Sequence, residues 1–417
     1  MMLVIERSEV GEIEDHPSWV LIYGRRKVGK TYILSNFIKH DAFVSVRRDR
    51  ISFASGLSMS RVTSSEALVD MIGPVLNEGR TVVVDEFQRL PESFLDEVAT
   101  FHPHGRLILS GSSRGVLSRV FGVGSPMLFL ASPIHIGLVR PTDILRSLAD
   151  HPPERALPFG AYLRDPWLAP MMKGGESLLP FLHGVMASSR LAVPALIGEI
   201  FTESDRSLTQ VYEGVIRALG ARLWKPGDVS SRLHESGLVS DGGSTQVMQY
   251  LQNLREMGLV DRVSVFGKAR QKAYRLASNV MDTFYYLADK HRIDEEDRPL
   301  KEMEENLRGC VSRGMERFVG ELFAQVMEGQ VEYSFDPEID FIITQGRARK
   351  PLMAGEVRWG RYSAGDVRSF RSKVEDIDCR KVFVVPRARS MGEVAGVEVL
   401  DAAALVNIAT TYRGPTS

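Results

Sequence analysis

Two cysteines in 417 residues, Cys310 and Cys379, are too few and too far apart for a disulfide framework, and no CxxC or Cys/His spacing offers a structural zinc site. Charge of one sign is missing as well. The 52 Lys+Arg stand against 53 Asp+Glu, a formal net charge of -1, so the chain as a whole has no excess that attracts polyanions. Any nucleic-acid contact has to come from a local patch. No apolar run reaches the ~18–20 residues of a membrane span. The first six residues lack the basic flank and apolar stretch of a signal peptide. The expected location is cytoplasmic, with no membrane partner.

What is present is ordinary globular material: 44% apolar and 25% charged residues, which excludes disorder, collagen and coiled coil as whole-chain descriptions. At roughly 100–200 residues per domain, the length points to about three domains. From residue 19 to about 131, apolar runs of strand length (19–23, 42–46, 81–84, 107–109 and 127–130) alternate with helical stretches. Buried strands separated by helices predict a parallel sheet in a three-layer α/β domain over 1–140. Residues 141–195 are dense in proline, which predicts short helical pieces acting as a lid or connector. Three helices and a hairpin (259–266 and 273–276, around a polar tip) give a winged helix-turn-helix pattern over 196–278. A helical, acidic bridge follows (279–308). The last segment, 309–417, reads as a smaller α/β domain: a helix over 310–328, strands near 331–335, 339–344, 352–359 and 381–385, and a helix near 366–377.

The sharpest motif is Gly24-Arg25-Arg26-Lys27-Val28-Gly29-Lys30-Thr31, a full G-x-x-x-x-G-K-[ST] between a strand and a helix. Glycines let backbone N–H groups turn inward around phosphate oxygens, and the following helix points its positive end at them. Lys30 reaches the β- and γ-phosphates, and the Thr31 hydroxyl ligates Mg2+. A second strand, 81–84, ends in Asp85-Glu86. Asp85 is placed to hold Mg2+ through water, and Glu86 to orient or deprotonate the attacking water. The strand 107–109 runs into Ser110-Gly111-Ser112-Ser113, where Ser112 is the candidate sensor of the γ-phosphate. Arg114 and Arg119 are candidate arginine fingers. ATP and Mg2+ are the expected cofactors.

These residues, with Phe87-Gln88 after Asp85-Glu86, resemble the archaeal P-loop ATPase family, a branch of the AAA+/STAND-like NTPases. The resemblance implies a winged helix after the ATPase and then a C-terminal domain similar to PD-(D/E)xK, or restriction-endonuclease-like, nucleases. Tyr274-Arg275-Leu276-Ala277 followed by Phe284-Tyr285-Tyr286 looks like the family's junction between wing and C-terminal domain. Where relatives carry an aromatic-Gly-Arg motif, this chain reads Phe121-Gly122-Val123-Gly124, without the arginine.

Between 222 and 275 nine basic residues face five acidic ones, a local balance of +4. Lys268, Arg270 and Lys272, in or beside the wing tip, are candidate contacts to double-stranded DNA. In the last domain Glu316, Asp340 and Glu356 are candidate Mg2+ ligands of a nuclease site, with Arg358 where the nuclease pattern has lysine. Arginine stays charged and does not take up a proton from water. The leading expectation is an ATP-hydrolysing switch that couples nucleotide state to DNA or partner binding, the partner being itself or another protein. The alternatives are a metal-dependent DNA nuclease regulated by ATP, and a nucleotide-dependent signalling scaffold without nucleic-acid contact.

Overall fold

A computed structural model describes residues 3–49, 52–55, 60–62, 64–111, 115–194, 206–240, 243–268, 271–388 and 394–414. The chain separates into two compact units: 7–138 with 256–258, and 1–6 with 139–255 and 259–417.

The first unit is built on a seven-stranded sheet. Its strands are β1 (Trp19–Tyr23), β2 (Ala42–Val46), β3 (Ser52–Ser55), β4 (Ser60–Val62), β5 (Thr81–Asp85), β6 (Arg106–Gly111) and β7 (Ala131–His135), in the order β4-β3-β2-β5-β6-β1-β7. The five strands β2, β5, β6, β1 and β7 are parallel, while β3 and β4 add an antiparallel extension at the β2 edge. The central strands β5, β6 and β1 are buried on both faces, as parallel sheets require. One face packs Leu21, Val82, Val84, Leu107 and Leu109 against Leu68, Ile72, Phe94 and Val116 of helices Ser65–Asn77, Ser93–Ala99 and Gly115–Phe121. The other packs Val20, Ile22, Val83 and Ile108 against Ile13, Val28, Ile33 and Leu34.

One strand expectation shifts. Residues 127–130, apolar enough to read as a strand, form turns, and Phe129 sits at φ 68, which ends any extended run. The fifth parallel strand is β7, four residues later. Its Pro133 hides it from a strand pattern but is tolerated because β7 is an edge strand that pairs only with β1.

The second unit also has one seven-stranded sheet, order β14-β13-β12-β11-β10-β8-β9. Its strands are β8 (Val260–Val265), β9 (Lys272–Leu276), β10 (Gln330–Phe335), β11 (Glu338–Gln345), β12 (Lys350–Val357), β13 (Arg380–Val385) and β14 (Glu398–Asp401). The hairpin β8–β9 follows helices Arg206–Gly220, Pro226–Glu235 and Ser244–Glu256, and β8 pairs in parallel with β10 through Ser264 and Val265. The hairpin is therefore continuous with the C-terminal sheet. Residues 141–194 belong to this unit as well. Prolines 141, 153 and 166 each occupy the first turn of a helix, where the missing N–H costs nothing. Asn279 donates to Ala161 O at 2.9 Å, and Gln325 Nε2 donates to the Thr142 hydroxyl at 2.7 Å. The acidic bridge is not separate from the helix after it: from Leu300 onward the two form one helix, Leu300–Val326.

Candidate functional site

The loop 24–31 leaves β1 and enters helix Lys30–Asn36. Two backbone choices shape it. Gly29 adopts φ 93, and Gly24 lies so close to Ile136 that a Cβ there would stand 2.0 Å from the Ile136 carbonyl oxygen. Glycine is the residue type that meets both demands. Lys27 also takes a positive φ, 66. Arg25, Val28 and Lys30 are buried, while Lys27 and Thr31 are exposed. The Lys30 ammonium donates to the carbonyls of Gly24 at 2.8 Å and Arg25 at 2.9 Å, across the mouth of its own loop. Burial lowers its pKa from 10.5 to about 8, against the opposing pull of Glu86 and Asp85.

The Thr31 hydroxyl donates to Asp85 Oδ2 at 2.7 Å, joining the loop to the end of β5. Two hard oxygen donors thus meet at one point, which suits a Mg2+ ion beside phosphates. Glu86, at φ 59, turns the chain out of β5; its carboxylate accepts from Gln88 Nε2 at 2.9 Å and pairs with Arg89 at 2.9 Å. Between β1 and β5 lies β6, with Ser110 opposite both Ile22 and Asp85. Strand alternation puts Ser110 on the face of Ile108 and Asp85 on the face of Val83, the face that carries Val28 and helix Lys30–Asn36. The Ser110 hydroxyl is fully buried and has no hydrogen-bond partner among the described residues. Ser112 and Arg114 lie outside the described residues. Arg119 is committed elsewhere: its guanidinium donates to Gln88 O at 2.9 Å and Leu90 O at 2.7 Å and lies over the Phe87 ring. It caps the turn after Asp85-Glu86 through NH1 and NH2.

Residues 16–123 match the family model described as AAA domain. The matched segment holds the phosphate loop, Asp85, Glu86 and Ser110. No curated protein matches the chain. Among solved structures, the Aeropyrum pernix ORC2 protein (ADPNP-ADP complexes) is 15% identical, over 76% of this chain and 96% of that one, at a TM-score of 0.38. The Aeropyrum pernix ORC1 protein in complex with DNA is 13% identical over 70% and 94%, at 0.31. Cdc6p from Pyrobaculum aerophilum is 16% identical over 69% and 92%, at 0.21. These are loose likenesses.

Sequence reasoning about the first unit missed Arg7 and Glu9, which meet the phosphate loop from outside. Arg7 NH1 donates to Val28 O at 2.9 Å, and Arg7 pairs with Glu9 at 2.7 Å. Only their i,i+2 opposite charges were visible in the sequence.

In the second unit, Glu316, Asp340 and Glu356 interact in pairs. Burial and then Asp340 push Glu316 up to about 8; burial raises Asp340 to about 6, although its Oδ2 accepts from the Val357 N–H at 2.7 Å. Glu356 is buried and pairs with two cations, Arg358 at 2.5 Å and Lys373 at 2.9 Å. Lys373, at the end of helix Ala364–Lys373, had no motif to mark it. Among the described residues no group of three His, Cys, Asp or Glu side chains is placed to hold a metal ion. The three carboxylates are therefore neighbours without forming a ligand set.

Of the basic residues around the hairpin, Lys225, Arg255, Arg262 and Lys268 are exposed. Arg222 pairs with Asp282 at 2.5 Å and Arg275 with Glu321 at 3.4 Å, so both are spent inside the unit. Lys272 begins β9, and Arg270 lies outside the described residues. No helix among the described residues is long and apolar enough to cross a membrane.

Proposed function

We propose that the chain is a Mg2+-dependent ATP hydrolase that works as a switch, coupling its nucleotide state to DNA or partner binding by the second unit. The observation that carries this is the Thr31–Asp85 contact of 2.7 Å beside a buried Lys30 in a phosphate loop. Thr31 and Asp85 would hold Mg2+, which when bound neutralises charge on the phosphate oxygens. Lys30 exchanges the carbonyls of Gly24 and Arg25 for phosphate oxygens. Glu86 orients the attacking water and accepts its proton, and Gln88 and Arg89 set the direction of its carboxylate. Ser110, on the same face as Asp85, is a second candidate for the polar contact first assigned to Ser112.

Three helices followed by a hairpin support a winged helix in the second unit, and its exposed Lys225, Arg255, Arg262 and Lys268 suit contact with phosphates. The test is ATP turnover with and without double-stranded DNA. We expect slow turnover that DNA stimulates, and Glu86→Gln lowering kcat by about 10²-fold or more. Unchanged turnover in Glu86→Gln would remove that residue from the chemistry. Charge reversal of Lys268, Arg270 and Lys272 should weaken DNA binding and flatten its salt dependence. If the wild-type chain binds no DNA at low salt, the signalling scaffold replaces the DNA-coupled switch.

A nuclease reading of the C-terminal carboxylates fits less well. Both oxygens of Glu356 face cations and no ligand set is formed, so no cleavage step is drawn through a metal there.

A further inference from the structure

In a phosphate loop the amides face the ligand, so the carbonyls face into the protein, where each needs a donor. Val28 is fully buried, and the donor to its carbonyl is the Arg7 guanidinium at 2.9 Å. The same guanidinium donates to Gly137 O at 3.2 Å and Leu138 O at 3.4 Å. Glu9 holds it in place, accepting from Nε at 3.2 Å and NH2 at 2.7 Å, with both side chains 3% exposed. A planar fork with five donors is what allows one buried side chain to serve three carbonyls and one carboxylate.

A second contact joins the same two stretches. Gly24 rests against the Ile136 carbonyl, and the Ile136 N–H donates to Tyr23 O at 2.8 Å. Both ends of the phosphate loop are thus seated on residues 136–138. Residue 138 is the last of the AAA-containing unit before the chain passes, at Val139, into the other one.

We propose that Arg7 is a positioning residue that transmits the occupancy of the phosphate loop to the point where the chain leaves the first unit. This rests on the nucleotide-binding reading above. In the free loop Lys30 is engaged with the Gly24 and Arg25 carbonyls. A phosphate that takes Lys30 frees those carbonyls and reshapes the loop, and Arg7 carries that displacement from Val28 to Gly137 and Leu138. The bound and free states differ in contacts at both ends, which is what a coupled change requires. An alanine at position 7 leaves the Val28 carbonyl buried without a donor; a lysine keeps the charge but not the fork.

The experiment is amide hydrogen exchange over residues 136–140 of the full-length chain, with and without a non-hydrolysable ATP analogue plus Mg2+, alongside the dissociation constant of that analogue. In the wild type the analogue should slow exchange there by at least about threefold, a local change in opening. In Arg7→Lys and in Arg7→Ala the slowing should vanish at saturating analogue. Glu9→Gln, which strips the buried guanidinium of its counter-charge and so lowers the unfolding midpoint, should reduce the slowing even when exchange is read well below that midpoint, which separates loss of the relay from loss of the fold. Slowing that persists in Arg7→Lys and Glu9→Gln overturns the relay. So does an analogue-saturated wild type with no change at 136–140. A wild type that does not bind the analogue overturns the nucleotide-binding reading itself, and the relay with it.

Discussion

At the scale of single residues, Lys30 is the position where burial and chemistry pull against each other. Its depressed pKa means that the folded, nucleotide-free protein carries the cost of a desolvated ammonium. That cost is present below pH 8 and fades as pH rises from about 8 toward 10.5, because the unfolded chain then binds the proton that the folded one has lost. A phosphate ligand reverses the balance by favouring the charged form. Two outcomes follow from one cause. Nucleotide affinity should hold below pH 8 and fall by up to about tenfold per pH unit above it, as binding begins to require proton uptake. Lys30→Met should abolish binding and yet raise the stability of the nucleotide-free protein at pH 7, by about 1–3 kcal/mol. Calorimetric titration in two buffers of different ionisation enthalpy, with denaturant unfolding of the variant, checks both. An affinity flat from pH 7 to 9.5 would mean that Lys30 keeps its proton throughout. The loop and Asp85-Glu86 were legible in the sequence because their function is written in local spacing. Arg7 and Lys373 were not, since each acts on a residue 17 or more positions away that only the folded chain brings near. The contacts of Arg119 were hidden for the same reason: nothing local announced that the carbonyls of residues 88 and 90 would accept from it.

At the scale of elements, the informative contact is the short parallel pairing of β8 with β10. Only Ser264–Glu332 and Val265–Tyr333 are in register, so side chains must hold what the ladder does not. Glu332 is fully buried and accepts from the Thr344 hydroxyl at 2.8 Å and from Arg349 Nε at 2.5 Å, while Arg349 NH2 donates to Val265 O at 2.7 Å. Arg349 therefore fastens the hairpin strand to the C-terminal sheet. Removing it leaves a buried carboxylate without its counter-charge, so Arg349→Met should destabilise the second unit by about 2–4 kcal/mol. The double variant Arg349→Met/Glu332→Met should recover most of the loss, because it removes the orphaned charge too. Equal unfolding midpoints for the single variant and the wild type would show that the clamp is idle. Individual strands of this sheet were readable from apolar runs at period two, and β8 and β9 fell within a residue or so of expectation. Their incorporation into the C-terminal sheet was not, because pairing partners 68 residues apart leave no periodic mark. The opposite error arose at β7, where a run of apolar residues at 127–130 competed with a proline-containing edge strand. The antiparallel β3–β4 extension also went unread.

At the scale of the whole molecule, the question is which unit performs chemistry. The first unit brings Lys30, Thr31, Asp85 and Glu86 together beyond the C-terminal ends of β1 and β5, with donors of the type a nucleotide and Mg2+ require. The second unit sets Asp340 within electrostatic reach of both Glu316 and Glu356 but spends Glu356 on Arg358 and Lys373 and leaves Glu316 and Asp340 displaced upward in pKa by burial. A cation entering there would have to compete with two resident side-chain cations at the carboxylate it needs most, and it would find no third ligand already placed. The expected outcome is that full-length protein incubated with single- or double-stranded DNA and either Mg2+ or Mn2+ yields no products beyond those of a Glu356→Ala control. ATP should be hydrolysed under the same conditions, and Thr31→Ala, which removes the hydroxyl that meets Asp85, should lower that rate by about 10-fold or more. Lys373→Ala is the sharper probe of the second unit. If Lys373 serves only to neutralise Glu356, its loss should destabilise the fold by about 1–3 kcal/mol while DNA remains intact. Cleavage by the wild type that disappears in both Glu356→Ala and Lys373→Ala would instead make that unit the catalytic one and recast ATP as its regulator.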